Sequence, residues 1–205
     1  MKRCTERVHE VLRRHVVAGD VVVDATLGNG HDCRFLASLV GASGRVYAFD
    51  VDSDAVATAT ARSREDPPHD VIVIHACHTE LRAQIDPQDH GKLRAVVFNL
   101  GYRPGSDRSS TTQSATTIAA LDAALALLAD EGILSVVAYS GHSGGQDEAQ
   151  AVAHYFARLQ SCGALTVLEA DAESGLRPRV FIGVKRGQRA AALNEDPGPG
   201  SDHVA

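Results

Sequence analysis

The stretch RAVVFNLGYRP carries a run of apolar and β-branched residues into Asn99-Leu100-Gly101-Tyr102. Asparagine at such a strand end, with tyrosine three places on, has the groups needed to hold a planar molecule by an amino group. The Asn99 carboxamide oxygen and the Leu100 backbone carbonyl accept N–H bonds and so aim the nitrogen lone pair, while the Tyr102 ring offers a stacking face. The structural alternative is a turn in which Asn99 caps and Tyr102 is partial core. A second stretch with chemical potential is VVVDATLGNGHD, Val21 to Asp32. A buried-type strand ends in Asp24, a turn carries Gly28, Asn29 and Gly30, and a helix starts near His31. Glycines there let the backbone approach a ligand and tolerate positive φ.

Two details narrow the ligand. Asp24 would repel a pyrophosphate but suits a cation, such as the ammonium and sulfonium of S-adenosylmethionine. The third small position of a dinucleotide fingerprint is Cys33, which fits only in part. The run RVYAFD ends in Asp50, about 20 residues beyond Gly30, where an acid accepts both ribose hydroxyls; the alternative is a cap of the next helix. After VIVI comes HACHTEL. His75, Cys77 and His78 could be metal ligands, yet no partner pair of matching spacing lies elsewhere, and Cys77 and His78 are placed along an adenine edge instead.

The elements that must position these residues alternate between β and helical patterns. A first helix is expected over about Thr5 to Val17, with Thr5 as N-cap and Val8, Val11 and Leu12 on one face. Strands follow at 21–25, 45–50, 71–74, 94–99 and 133–139, with helices at 31–40 and 53–63. A helix with Ile118, Leu121, Leu125 and Leu128 on its stripe should end before Gly132, and another carries Val152, Tyr155, Phe156 and Leu159. ALTVLEA and RVFIGVK then adjoin without a helix between them, predicting a terminal hairpin. The expected fold is α/β and doubly wound, a mostly parallel seven-stranded sheet with one antiparallel strand and helices on both faces.

Composition bounds the rest. The 205 residues are 44% hydrophobic and 22% charged, which suits one globular domain over 1–186, with 187–205 as a disordered tail. A net charge of −6 excludes a bulk-basic nucleic-acid binder and leaves only local patches. Four scattered cysteines without a CxxC pair argue for a reducing compartment, and no apolar run approaches the roughly 18 residues of a membrane span. The N-terminus lacks the apolar stretch of a signal peptide, so the expected location is the cytoplasm.

Asn99-x-x-Tyr102 resembles the NPPY motif of amino-group methyltransferases, with Leu-Gly in place of Pro-Pro. DATLGNGHD, FNLGYRPGSD followed by Thr111 and Thr112, and YSGHSGG (Tyr139 to Gly145) together resemble the small class I methyltransferase family labelled "putative rRNA methylase". Its characterised members are the MnmM-type tRNA 5-aminomethyl-2-thiouridine methyltransferases. The similarity runs roughly from Thr5 to Lys185; where the family has GHPGG, this chain has Gly141-His142-Ser143-Gly144-Gly145. The resemblance implies a Rossmann-like class I fold and methylation of the amine of a 5-aminomethyl group on the tRNA wobble uridine. It implies S-adenosylmethionine as cofactor, S-adenosylhomocysteine as product, and no metal. The cofactor set is then Asp24, Gly28, Asn29, Gly30, Asp32, Asp50, Cys77, His78 and Asn99, and the catalytic set Asn99, Tyr102 and His142.

A primary alkyl amine, with a reference pKa near the lysine value of about 10.4, must shed a proton before it attacks; His142 and Asp32 are candidate acceptors. Leu100, Gly101, Arg103 and Arg108 face the RNA in this reading, the arginines holding phosphates of the anticodon region while the base is splayed into the pocket. Lys2, Arg3, Arg7, Arg13 and Arg14 form a second basic group at the first helix, either RNA-facing or simply solvated. Rival readings are a ribosomal-RNA or small-molecule amine methyltransferase, an NAD-dependent oxidoreductase, and a non-catalytic adenosylmethionine-binding partner. The sequence leaves the oligomeric state open, a homodimer included.

Overall fold

The structure, a computed structural model, describes residues 3–65, 69–101, 112–171 and 177–187. Its strands are β1 (Val21–Asp24), β2 (Arg45–Asp50), β3 (Asp70–His75), β4 (Leu93–Leu100), β5 (Leu128–Ala138), β6 (Leu165–Ala170) and β7 (Arg179–Lys185). They form one sheet in the order β3-β2-β1-β4-β5-β7-β6. The first five pair in parallel, and β7 is antiparallel to both its neighbours, as the terminal hairpin requires.

Successive side chains of the central strands point to opposite faces, and both faces are apolar. Val22, Val46, Ala48, Ala95 and Val97 pack on one side with α1 (Cys4–His15) and α2 (His31–Val40), through Val8, Leu12, Leu36 and Val40. Ala59 of α3 (Ser53–Glu65) joins the same layer. Val23, Tyr47, Phe49, Val96 and Phe98 face the other way. There they meet Leu81 of the short α4 (Leu81–Gln84), Leu121 of α5 (Ser114–Leu127) and Phe156 of α6 (Gly145–Ser161). This is the expected doubly wound arrangement, helices on both faces of a mostly parallel sheet with one antiparallel strand.

Several boundaries depart from expectation for local reasons. The N-cap of α1 is Arg3 rather than Thr5, because Glu6 reaches back to accept the Arg3 N–H at 3.0 Å. The buried stripe of α5 is Thr117, Ala120, Leu121, Ala124 and Leu127, rotated from the one the larger apolar residues suggest. That helix stops at Leu127, since Leu128 already pairs with Leu93 as the start of β5. Gly132 is therefore not a helix terminator: it lies inside β5, where a Cβ would come within 2.9 Å of the Leu93 carbonyl oxygen. Tyr102, Arg103, Arg108, Thr111, Lys2 and nearly all of the expected C-terminal tail lie outside the described residues.

Candidate active site

The chain runs from β1 outward to β3 and returns to β4 on the other side of β1, so the crevice at the carboxyl ends of β1 and β4 is the ligand position of this fold. Asp24 and Asn99 stand at those ends.

Asp24 is fully buried. Its Oδ1 accepts the Thr26 N–H at 3.1 Å, and its Oδ2 has no hydrogen-bond partner among the described residues. Burial pushes its pKa up to about 8, helped by the charges of Asp32 and Asp50 and opposed by the Thr26 and Cys33 backbone. An orphaned carboxyl oxygen at this depth is a group that a cationic ligand would draw into the ionised form and satisfy. The turn behind it has the expected backbone, with φ of 50° at Gly28 and 73° at Gly30.

Asp50 ties that turn to β2: its Oδ2 accepts the Gly28 N–H at 2.7 Å and its Oδ1 the Asp52 N–H at 2.9 Å. The helix-capping alternative belongs to Asp52, whose Oδ1 accepts from the Asp54 and Ala55 N–H groups at the start of α3. Asp50 thus retains lone pairs for ligand hydroxyls. The Asn29 carbonyl accepts from Arg62 at 3.3 Å, beside a cleft of about 260 Å³ between α2 and α3. His78 is buried edge-on to Phe98, and burial lowers its pKa, so its ring is neutral near pH 7. Its Nε2 lacks a hydrogen-bond partner among the described residues. Cys77 caps the short 3-10 turn that delivers His78, and His75 is engaged by the Val51 carbonyl at 3.0 Å.

At the reaction end, Asn99 is held twice. Its backbone N–H donates to Thr26 Oγ1 at 2.7 Å, and its side-chain Nδ2 donates to Asp32 Oδ2 at 2.5 Å. Asp32 Oδ1 in turn lies 2.5 Å from His9 Nε2 on α1. The Leu100 carbonyl already accepts the Tyr139 N–H at 3.1 Å, which leaves one of its lone pairs for an amine. Gly101 and Thr112 bond in both directions, Gly101 N–H to Thr112 Oγ1 at 2.9 Å and Thr112 N–H to the Gly101 carbonyl at 3.1 Å. Thr112 Oγ1 donates to the buried Glu148 at 2.7 Å, and Glu148 also accepts from Thr117 at 2.6 Å.

His142 packs over Gly101 and Gly145. A Cβ at Gly145 would approach the Tyr139 carbonyl oxygen to 2.7 Å and His142 Nε2 to 2.8 Å, so only glycine fits there. The Ser143 carbonyl, an acceptor, lies 3.0 Å from His142 Nδ1.

His9, Thr26 and Glu148 escaped the sequence reading, and Thr112 entered it only as part of a motif, without its partners. Thr26 sits inside the DATLGNG stretch and could have been flagged there; His9 and Glu148 carry no local signal. The basic group on α1 also changes meaning. Arg7 is bonded to Asp171 at 2.6 and 3.0 Å and paired with Glu169, so it docks the helix and is not an RNA-facing charge. Arg13 lies over the Phe35 ring at 4.9 Å.

Comparison with known proteins agrees with this geometry. The family described as "Putative rRNA methylase" matches residues 46–175. The chain is 37% identical over 162 residues to the "tRNA (mnm(5)s(2)U34)-methyltransferase, chloroplastic" of Arabidopsis thaliana, covering 74% of this chain and 58% of that protein. It is 31% identical over 121 residues to the "Ribosomal RNA small subunit methyltransferase H" of Acinetobacter baumannii, covering 57% of this chain and 39% of that protein. The chain therefore spans well under two thirds of the length of either relative. Among solved structures, the "putative rRNA-methylase" of Clostridium thermocellum superposes with a TM-score of 0.81 at 35% identity, covering 90% of this chain and 98% of that one. A "putative methyltransferase" of Streptococcus mutans in complex with SAH does so with a TM-score of 0.77 at 29% identity, covering 90% of this chain and 99% of that one. With its fold, the strand-end Asp24 and Asn99, and a match over more than half its length, the chain belongs to the "Putative rRNA methylase" family of class I methyltransferases.

Proposed function

We propose that the chain is an S-adenosylmethionine-dependent N-methyltransferase acting on the amine of 5-aminomethyl-2-thiouridine at the tRNA wobble position, giving 5-methylaminomethyl-2-thiouridine. The observation that carries the reading is the Asn99 carboxamide, locked at the switch point beside the Asp24–Asp50 end of the sheet. The name of the Arabidopsis relative supports this substrate over others.

Asp24 would hold the cationic amino-acid part of the cofactor, Asp50 its ribose hydroxyls, the Gly28–Gly30 turn its backbone approach, and Cys77 with His78 its adenine edge. When bound, S-adenosylmethionine supplies an electrophilic methyl group. The residues of the chain do the rest. Asn99 Oδ1 accepts an N–H of the amine and orients its lone pair, and the second lone pair of the Leu100 carbonyl can take another. His142, packed beside Gly101, is the candidate acceptor for the ammonium proton. Tyr102, Arg103 and Arg108 retain their proposed roles in stacking the base and binding anticodon phosphates.

Asp50→Ala should weaken S-adenosylmethionine binding by roughly 1.5–3 kcal/mol, the scale of hydrogen bonds to a charged group. Calorimetry showing unchanged affinity would remove Asp50 from the cofactor set. The activity itself is tested with purified protein, labelled methyl donor and three RNAs: tRNA bearing 5-aminomethyl-2-thiouridine, the same tRNA with plain uridine, and ribosomal RNA. Nucleoside mass spectrometry should find one added methyl on the aminomethyl nitrogen and none on plain uridine, which offers no amine. Methylation of ribosomal RNA alone would overturn the substrate assignment and leave the fold and family standing.

A further inference from the structure

His9 comes from α1 and Asp32 from the first turn of α2, yet the two meet at 2.5 Å, and the far oxygen of Asp32 meets Asn99 Nδ2 at the same distance. The pair is well shielded, with side-chain exposures of 21% for His9 and 16% for Asp32. The His9 ring is also held rigidly. It stacks on Phe35 with centroids 3.6 Å apart and planes 10° from parallel. Its helix is fastened to the sheet by the Arg7–Asp171 bonds.

We propose that His9 is a positioning residue that, acting through Asp32, sets which end of the Asn99 carboxamide is turned to the substrate. An ionised carboxylate only accepts, so each oxygen of Asp32 needs a donor. Asn99 can satisfy Oδ2 only with its NH₂ group, and its Oδ1, on the same carbon, must then turn away from Asp32. His9 satisfies the other oxygen and must carry its hydrogen on Nε2 to do so. The direction of the chain is therefore fixed: His9 donates to Asp32, Asn99 donates to Asp32, and Asn99 Oδ1 is the acceptor left over.

The opposite orientation of the carboxamide would present its NH₂ to an incoming amine, donor against donor, and the His9–Asp32–Asn99 chain of bonds excludes it. The inference rests on the proposed amine substrate and adds to it the reason that an asparagine, which could face either way, faces one way.

The test compares full-length wild type with His9→Ala and His9→Gln. The glutamine amide N–H can reach the same carboxylate, whereas alanine leaves Asp32 Oδ1 without its donor. With tRNA bearing the aminomethyl base, His9→Ala should lower kcat by about 10-fold or more, with KM for both substrates within about twofold, and His9→Gln should recover kcat to within about threefold. A second readout needs no turnover. In ¹⁵N-labelled protein with S-adenosylhomocysteine added, the Asn99 side-chain NH₂ should exchange slowly in wild type and His9→Gln, and about 10-fold faster in His9→Ala. An unchanged kcat in His9→Ala, a His9→Gln protein of normal melting temperature that turns over no better than His9→Ala, or an indifferent NH₂ exchange rate would each overturn the inference. If wild type fails to methylate this tRNA, the substrate reading falls, and the exchange rates alone decide the role of His9.

Discussion

On the proposed substrate, Asn99→Ala should lower kcat on the aminomethyl-bearing tRNA by about 10²-fold or more, while the dissociation constant for S-adenosylmethionine should move by less than about twofold. The split follows from how the residue is held. Its backbone N–H to Thr26 survives the substitution, so the ends of β1 and β4 stay joined and the cofactor end keeps its shape. The carboxamide alone is lost, and with it the acceptor proposed to aim the lone pair of the amine. Rapid-quench turnover alongside calorimetry measures both quantities. Parallel losses in affinity and rate would show that Asn99 supports the cofactor or the fold instead.

Asp24→Asn is the second large effect, and its signature is a proton. In the ligand-free protein the Asp24 pKa stands at about 8, so at pH 6.5 the carboxyl is mostly neutral. A cation bound against it draws it into the ionised form, and about one proton should be released per cofactor bound. Titrations at pH 6.5 in buffers of different ionisation enthalpy should record that release in wild type and none in Asp24→Asn, together with a loss of affinity of about 3 kcal/mol or more for an uncompensated buried cation.

Stability moves in the opposite sense. Because the folded pKa lies above the unfolded value of about 3.9, the folded state binds the extra proton between roughly pH 4 and 8. This contribution therefore favours folding at low pH and is lost as pH rises toward 8. The melting temperature of ligand-free wild type should fall relative to that of Asp24→Asn between pH 5 and pH 8. Asp32, Asp50 and Cys33 face the same carboxyl and are shared by both proteins, so the difference isolates Asp24. A constant gap between the two melting curves would place the Asp24 pKa near its ordinary value.

What the sequence disclosed and what it hid divide along contact range. The strands of the parallel core announce themselves, since Val22 and Val23 or Tyr47 and Ala48 must each satisfy an apolar layer on opposite sides. The strand-end placement of Asp24, Asp50 and Asn99 was legible because a polar residue closing such a run marks the carboxyl edge of an open sheet. Boundaries governed by a neighbour were not: Leu128 reads as helix until its pairing with Leu93 is known. The partners of the site residues were hidden for the same reason. His9 meets Asp32 across 23 positions, Thr26 meets Asn99 across 73, and Glu148 meets Thr112 across 36. In sequence, His9 is one polar residue on an amphipathic helix and Glu148 one acid near a helix start. Arg7 shows the converse, a charge that composition assigns to solvent and the fold assigns to Asp171 and Glu169.

The reciprocal bonds between Gly101 and Thr112, backed by Glu148 from α6, join the two ends of a segment on the scaffold side. Whatever replaces the intervening residues inherits ends already fixed at the site. Doubling the length of such a segment costs only about 0.6 kcal/mol of closure entropy. Descendants of this scaffold can thus exchange the stretch that bears Tyr102, Arg103 and Arg108 without renegotiating the sheet, Asn99 or the cofactor end. On the recognition roles proposed for Tyr102, Arg103 and Arg108, the clasp makes that stretch a replaceable cassette, exchangeable by recombination at two positions.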